Sequence, residues 1–256
     1  MPTAEPRFTG LTNSALAIAT GVCQIRIRSK SGRIDEAGTG FFYQSTGPPF
    51  IVTAKHVLRS STTDPSEDSR PVSVSIRLKT SLSDLSKARD VEIPLWKNDV
   101  PQFRWSNEPV DLAAIRLPAT GIDELQVFIY RSENVPPSNA YLPPGTDVLL
   151  VGYPRGLHDE AHNLPLIRSG SLSSFYGINF NDRPVFKVDS DLQEGMSGAP
   201  VLLKPTNQLF KTDGSFQMMV SPVSYLLGIH TSGFDELRIH EAYYPTLLDQ
   251  LTIKDR

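Results

Sequence analysis

The sequence of 256 residues contains one cysteine, Cys23, so no disulfide bond can form within the chain. The fold therefore does not depend on an oxidising compartment. Cys23 stands in a stretch that alternates apolar and polar residues, which predicts a small buried side chain on a strand. A chain of this length can bury a core without cross-links.

The sequence has no excess of positive charge. Its 25 Lys and Arg residues against 28 Asp and Glu give a net charge of −3, which does not favour binding to nucleic acid or to an anionic membrane surface. The apolar stretch at residues 15–23 is too short to span a bilayer. The first eight residues hold an acid and two prolines instead of the apolar core of a signal peptide. We therefore expect a cytoplasmic protein that binds no membrane, and export by another route stays open.

Helical periodicity is scarce, whereas 17 Gly and 21 Pro are spread along the chain. This density of breakers favours many short strands over long helices. Alternating or continuous apolar runs predict strands at residues 23–28, 50–53, 72–78, 112–115, 148–151 and 200–203. A C-terminal helix is predicted over residues 245–251.

A proline-rich segment, residues 132–144, divides the chain like a linker. It separates a predicted N-terminal unit, 12–130, from a C-terminal unit, 140–236, with a helical tail at 237–256. The strand density fits an all-β fold of two six-stranded antiparallel barrels with a short C-terminal helix, which together make one unit. A polar stretch at residues 60–70 is predicted to be a loop.

Three segments carry candidate catalytic side chains. His56 follows a predicted strand, Asp111 opens another, and Ser197 lies in a turn between Gly195 and Gly198. Each residue alone has an ordinary structural explanation. Together they supply a hydroxyl nucleophile, a base to take its proton, and a carboxylate to orient the base, which acyl transfer requires. The backbone N–H groups of Gly195 and Ser197 are predicted to form the oxyanion hole, because glycine permits unusual backbone angles there.

The motifs around these residues resemble those of trypsin-like serine peptidases, whose triad follows the same chain order. The similar segments are residues 53–57 around the base, 111–115 after the acid, 195–200 around the serine, 227–233 along the substrate cleft, and 38–41. The last, Gly-Thr-Gly-Phe, resembles the bacterial branch that includes HtrA proteases and glutamyl endopeptidases. The resemblance implies a chymotrypsin-like fold, serine endopeptidase activity without a cofactor, and a peptide or protein substrate.

Two features depart from the family pattern. Met196 precedes the serine, where animal trypsins carry an Asp that pairs with a newly cut N-terminus. Activity without N-terminal processing is therefore expected. Only five residues follow Leu251, so no PDZ-type domain of the kind found in HtrA proteases is expected at this end.

The resemblance places the primary pocket between the segment before Ser197 and the strand that holds His230, Thr231 and Gly233. His230 stands where glutamyl endopeptidases receive an acidic side chain, whereas Asp191 stands where trypsins receive a basic one. Because a carboxylate repels an acidic substrate, we predict poor cleavage after Glu or Asp and a mild preference for basic or uncharged residues. Three alternatives remain: Asp191 faces solvent, His230 fills the strand, or the two residues pair.

His158 and His162 have the spacing of a zinc motif, but Asp159 stands where the motif needs Glu, and nearby prolines and glycine leave little room for a helix. We therefore predict an exposed loop and no metal site. His240, beside Glu241, is expected at the surface.

Two alternative functions stay open at this stage. One is a protease-like module that binds peptides with little turnover, and the other is an esterase or amidase that uses the same triad. The oligomeric state cannot be derived from these patterns.

Overall fold

The computed structural model describes residues 13–59, 70–107, 109–118 and 126–252. In these ranges the chain folds into antiparallel strands with three short α-helices: α1 (Asn13–Thr20), α2 (Lys55–Leu58) and α3 (Thr246–Thr252). The strands of the first half are β1 (Val22–Ser29), β2 (Ile34–Tyr43), β3 (Phe50–Ala54), β4 (Pro71–Lys79), β5 (Ala88–Pro94), β6 (Trp96–Lys97), β7 (Val100–Pro101), β8 (Phe103–Trp105) and β9 (Leu112–Arg116). Those of the second half are β10 (Asp147–Gly152), β11 (Leu166–Leu172), β12 (Val185–Ser190), β13 (Pro200–Leu203), β14 (Thr206–Phe210), β15 (Phe216–Val223), β16 (Leu226–Phe234) and β17 (Ile239–Tyr243).

Seven strands of the first half form one sheet with the order β5-β4-β1-β2-β3-β9-β8, and β6 and β7 form a separate two-stranded sheet. Its apolar residues alternate along the strands, so that Val74, Ile76 and Leu78 of β4 are buried on the same face. Cys23 of β1 is fully buried in the same cluster, as the sequence predicts. The sheet has seven strands, whereas the sequence predicted a six-stranded barrel for this half.

The second half forms a closed barrel of six strands in the order β10-β11-β12-β17-β16-β13. The hairpin of β14 and β15 lies outside this barrel as a separate two-stranded sheet. Strand β17 ends at Tyr243, so the barrel extends beyond the boundary predicted at residue 236.

The six predicted strands are confirmed as β1, β3, β4, β9, β10 and β13, and the predicted C-terminal helix is confirmed as α3. Helix α1 was not predicted. It has only eight residues, and Gly21 N ends it by donating to Ala17 O. No helix within the described ranges has the length and apolar character that crossing a membrane requires.

The two halves share a buried cluster. Phe41 and Val52 of the first sheet pack there with Val151 and Ile229 of the barrel, and Leu248 of α3 joins them. The burial of apolar side chains from both halves fixes how the two sheets meet. Strand β3, which precedes His56, and strand β9, which follows Asp111, contribute Val52 and Leu112 to this cluster.

Candidate active site

His56 and Asp111 are brought together by the pairing of β3 with β9. The register sets Ala54 opposite Leu112, so His56, just after β3, meets Asp111, just before β9. The Nδ1 atom of His56 lies 2.6 Å from Oδ2 of Asp111, and the backbone N–H of His56 donates to Oδ1 at 3.0 Å. One carboxylate therefore fixes both the ring and the backbone of the histidine.

Ser197 lies in the turn that precedes β13, and we call residues 193–198 the nucleophile turn. Its hydroxyl donates to the Thr231 carbonyl at 3.2 Å. Gly38 links this turn to the histidine segment. A Cβ at position 38 would stand 2.9 Å from Ser197 O and 2.8 Å from a methyl of Val57, the residue after His56. The serine backbone and the histidine segment therefore flank one glycine.

Two glycines in the nucleophile turn have backbone angles that other residues rarely adopt. Gly195 and Gly198 both have φ of 88°. Gly195 stands third in a turn closed by a 3.2 Å hydrogen bond from Met196 N to Gln193 O, a position where a type II turn requires positive φ. At Gly198 a Cβ would strike the Thr39 carbonyl oxygen. Glycine is therefore required on both sides of Ser197 by the backbone angle at Gly195 and by the close contact at Gly198.

Hydrogen bonds fix the carbonyl groups along the nucleophile turn. Glu194 O accepts from Arg155 N at 2.6 Å, and Met196 O accepts from Ala199 N at 2.9 Å. Gly195 O accepts from the Thr39 hydroxyl at 2.7 Å, and Ser197 O accepts from Thr39 N at 2.9 Å. Each bond sets the plane of one peptide group. By contrast, the N–H groups of Gly195 and Ser197 donate to no other described residue.

Met196 anchors the turn from inside the barrel. Its side chain is fully buried and packs in a cluster that includes Val188, Leu192 and Ala199. A buried apolar residue stabilises the turn by packing, so the turn needs no ion pair at this position.

His230 and His240 lie together inside the second half. Their rings meet edge to face with centroids 5.3 Å apart. Burial, and secondarily the neighbouring His240, lower the pKa of His230 to about 3, so its imidazole is neutral at pH 7. The expectation that His240 is a surface residue is wrong, because β17 pairs with both β12 and β16 and buries it.

Gly233 makes room for this pair, because a Cβ there would overlap the His240 ring. Thr231, between His230 and Gly233 on β16, is also buried.

Asp191 lies at the surface and is bound to Arg168. The Arg168 guanidinium contacts Asp191 Oδ2 at 2.5 Å and donates through Nε to the Asp191 backbone carbonyl at 2.8 Å. His230 is bound elsewhere, its Nδ1 lying 3.3 Å from Glu241 O. The two predicted pocket residues are therefore not bonded to each other.

Sequence reasoning missed Arg168, because it lies 23 residues before Asp191 and only the pairing of β11 with β12 brings them close. Thr39 lies in the Gly-Thr-Gly-Phe motif at residues 38–41, but the motif does not indicate a role for this side chain. Three of the four hydrogen bonds of Thr39 join the two halves of the molecule, and no local sequence pattern predicts contacts of this kind.

The segment of His158 and His162 contains no α-helix. Nδ1 of His162 lies 2.7 Å from Asp159 Oδ2, and His158 Nδ1 lies 2.7 Å from Gly156 O. Among the described residues, no group of three or more His, Cys, Asp or Glu side chains is arranged to hold a metal ion.

Comparison with known proteins gives a family. The model of the trypsin-like peptidase domain matches residues 38–210. A search of curated proteins found no match. Among solved structures, the serine protease domain of the Sesbania mosaic virus polyprotein is similar at 14% identity, with a TM-score of 0.47, over 92% of this chain and 94% of that one. A structure from work on the intrinsically disordered VPg protein of Sesbania mosaic virus is similar at 15% identity, with a TM-score of 0.49, over 93% and 91%.

Proposed function

Because this chain belongs to the trypsin-like peptidase domain family, we propose that it is a serine endopeptidase with His56, Asp111 and Ser197 as its catalytic triad. The observation that carries the proposal is the double contact of Asp111 with the ring and the backbone of His56. A carboxylate that accepts from Nδ1–H leaves Nε2 as the basic nitrogen. The contact between His56 and Asp111 supports the roles of base and orienting acid, and the family match supports the reaction class.

In the proposed reaction the Ser197 hydroxyl oxygen attacks the carbonyl carbon of the scissile peptide bond while Nε2 of His56 takes its proton. The imidazolium then gives this proton to the leaving amine as the C–N bond breaks, which leaves an acyl-enzyme ester. Water repeats the sequence and releases the acid. Asp111 holds the ring in one orientation and stabilises the imidazolium.

The N–H groups of Gly195 and Ser197 are the proposed donors to the oxyanion of the tetrahedral intermediate. Support comes from the nucleophile turn, where the neighbouring carbonyls are hydrogen-bonded and these two N–H groups donate to no described residue. Donors that are held in place before reaction stabilise developing charge without reorganisation. The burial of Met196 further supports competence of the turn without N-terminal processing.

The residues of the proposed substrate pocket present no unpaired charge at neutral pH. Asp191 is paired with Arg168, and His230 is neutral because its pKa lies near 3. The pairing of Asp191 removes the basis for the basic preference expected from the sequence. We therefore propose that uncharged residues precede the scissile bond, with His230, Thr231 and Gly233 along the pocket.

One observation favours a second candidate, a peptide-binding module with little turnover. The Ser197 hydroxyl donates to Thr231 O, so it must rotate before the imidazole can take its proton. In peptidases such catalytic bonds often form only when substrate binds, and substrate-dependent turnover separates the two candidates.

The test is a peptide-library cleavage assay of the wild type and of Ser197→Ala. Wild type should cleave after uncharged residues, and Ser197→Ala should lose turnover by roughly 10³-fold or more. Ser173→Ala is a matched control, because it makes the same change at an exposed serine of the second half, just after β11. Circular dichroism should show the same fold in all three proteins. Equal cleavage by wild type and Ser197→Ala would contradict the proposal, and a profile dominated by Glu would contradict the uncharged pocket alone.

A further inference from the structure

We propose that Thr39, on β2 of the first sheet, is a positioning residue that holds the nucleophile turn of the second half in its reactive geometry. The inference rests on the proposed function and adds a residue to its machinery. It assigns to the first half a role in the reaction beyond supplying His56 and Asp111.

Thr39 is fully buried, and each of its polar atoms is hydrogen-bonded. Its N–H donates to Ser197 O at 2.9 Å, and its hydroxyl donates to Gly195 O at 2.7 Å. The same hydroxyl accepts from Tyr153 N at 3.1 Å, and the Thr39 carbonyl accepts from the Thr53 hydroxyl at 2.7 Å. One residue thus connects two segments of the barrel with β3.

The two bonds to the nucleophile turn lie on either side of Met196. A peptide group is planar, so a hydrogen bond to its carbonyl also fixes the direction of the attached N–H. Gly195 O belongs to the peptide before Met196, and Ser197 O belongs to the peptide after Ser197. The peptide between them carries the Ser197 N–H, a proposed oxyanion donor. Thr39 therefore holds both neighbours of this donor.

Water cannot take the place of the Thr39 hydroxyl, because the surrounding backbone is in direct contact. A Cβ at position 152 would stand 2.6 Å from Thr39 Oγ1, and a Cβ at position 198 would strike Thr39 O. Thr39→Val keeps the shape but leaves Gly195 O and Tyr153 N without this partner. Buried backbone groups without partners are costly, so the turn is expected to shift to other arrangements. Thr39→Ser keeps the hydroxyl and should keep the turn in place.

The test compares Thr39→Val, Thr39→Ser and Thr20→Val. Thr20 is a matched control, because it is buried and its hydroxyl donates to Leu16 O at 2.9 Å and accepts from Phe128 N at 3.0 Å. Two measurements are made on each full-length protein. One is kcat and KM on a peptide that the wild type cleaves, and the other is amide hydrogen exchange of the nucleophile turn.

Thr39→Val should lower kcat by roughly 10- to 100-fold with KM within about twofold, since misplaced groups affect mainly the transition state. Exchange of the nucleophile turn should accelerate in the same variant. Thr39→Ser should keep kcat and the exchange rate of the turn close to those of the wild type. Thr20→Val should leave both quantities unchanged even if it lowers the melting temperature.

Unchanged kcat and unchanged exchange in a folded Thr39→Val would overturn the inference. A kcat loss shared by Thr20→Val would also overturn it, because the effect would then be general destabilisation. If the wild type cleaves no peptide, the proposed function fails, and hydrogen exchange still decides whether Thr39 holds the turn.

Discussion

At the scale of single residues, the positions of the predicted pocket side chains do not determine the charge that they present. The charge of Asp191 was expected to govern the pocket, with His230 as the competing candidate. Arg168 forms an ion pair with Asp191, and burial keeps His230 neutral at pH 7. The sequence could identify these side chains as candidates because they stand at motif positions. It could not predict their protonation or partners, which depend on residues far along the chain.

The buried His230 makes stability depend on pH. Its pKa is lowered in the folded state to about 3 from the ordinary 6.5, so between these values the unfolded chain binds the proton more readily. The contribution of the neutral His230 to the free energy of unfolding is complete above about pH 6.5. It falls as the pH drops toward 3, by about 1.4 kcal/mol per pH unit at most. His240 and the carbonyl of Glu241 face the ring, so protonation would add a charge beside a second buried imidazole.

Chemical denaturation of the wild type and His230→Gln from pH 8 to pH 4 measures this effect. The free energy of unfolding should fall more steeply with acidification in the wild type than in His230→Gln. Any difference at pH 8 reports packing, because the histidine is neutral in both folded and unfolded chains there. Parallel slopes in the two proteins would show that folding does not lower the pKa of His230.

At the scale of elements, the strands were predictable and their packing was not. The alternation at residues 72–78 and the apolar run at 148–151 identify β4 and β10 directly. Helix α1 was missed because eight residues give a weak periodic signal. The burial of His240 was missed because it follows from β17 pairing on both sides. The nucleophile turn was predicted from its glycines, and its hydrogen bonds to β2 were not.

Gly198→Ala should strongly destabilise this element. A Cβ there would overlap the Thr39 carbonyl oxygen and stand 2.4 Å from the Thr53 hydroxyl, at a φ of 88°. Backbone strain and overpacking together should cost on the order of 3 kcal/mol. Gly214→Ala is the matched control, because its φ is 82° but no atom lies within 4 Å of the added Cβ.

Gly214→Ala should lower the free energy of unfolding by only about 1 kcal/mol, because the added Cβ causes backbone strain there but no clash. The free energy of unfolding, measured by denaturant titration, decides between them. Equal losses in the two variants would show that the contact with Thr39 does not constrain the turn.

At the scale of the whole molecule, the proposed site exists only where the two halves meet. The first half supplies His56, Asp111 and Thr39, and the second half supplies the nucleophile turn. The order of the motifs along the chain predicts this division. The sequence could not predict how the halves are joined, because the shared cluster around Phe41 and Ile229 combines residues that are distant in the chain.

The most direct test of the central claim is covalent labelling with a fluorophosphonate, which reacts with an activated serine and spares ordinary ones. Intact-mass and peptide mass spectrometry of the labelled wild type should find one adduct, on Ser197. His56→Ala should label far more slowly, and Ser197→Ala should not label. A folded wild type that stays unlabelled, or that carries its adduct on another serine, would contradict the assignment of Ser197 as the nucleophile.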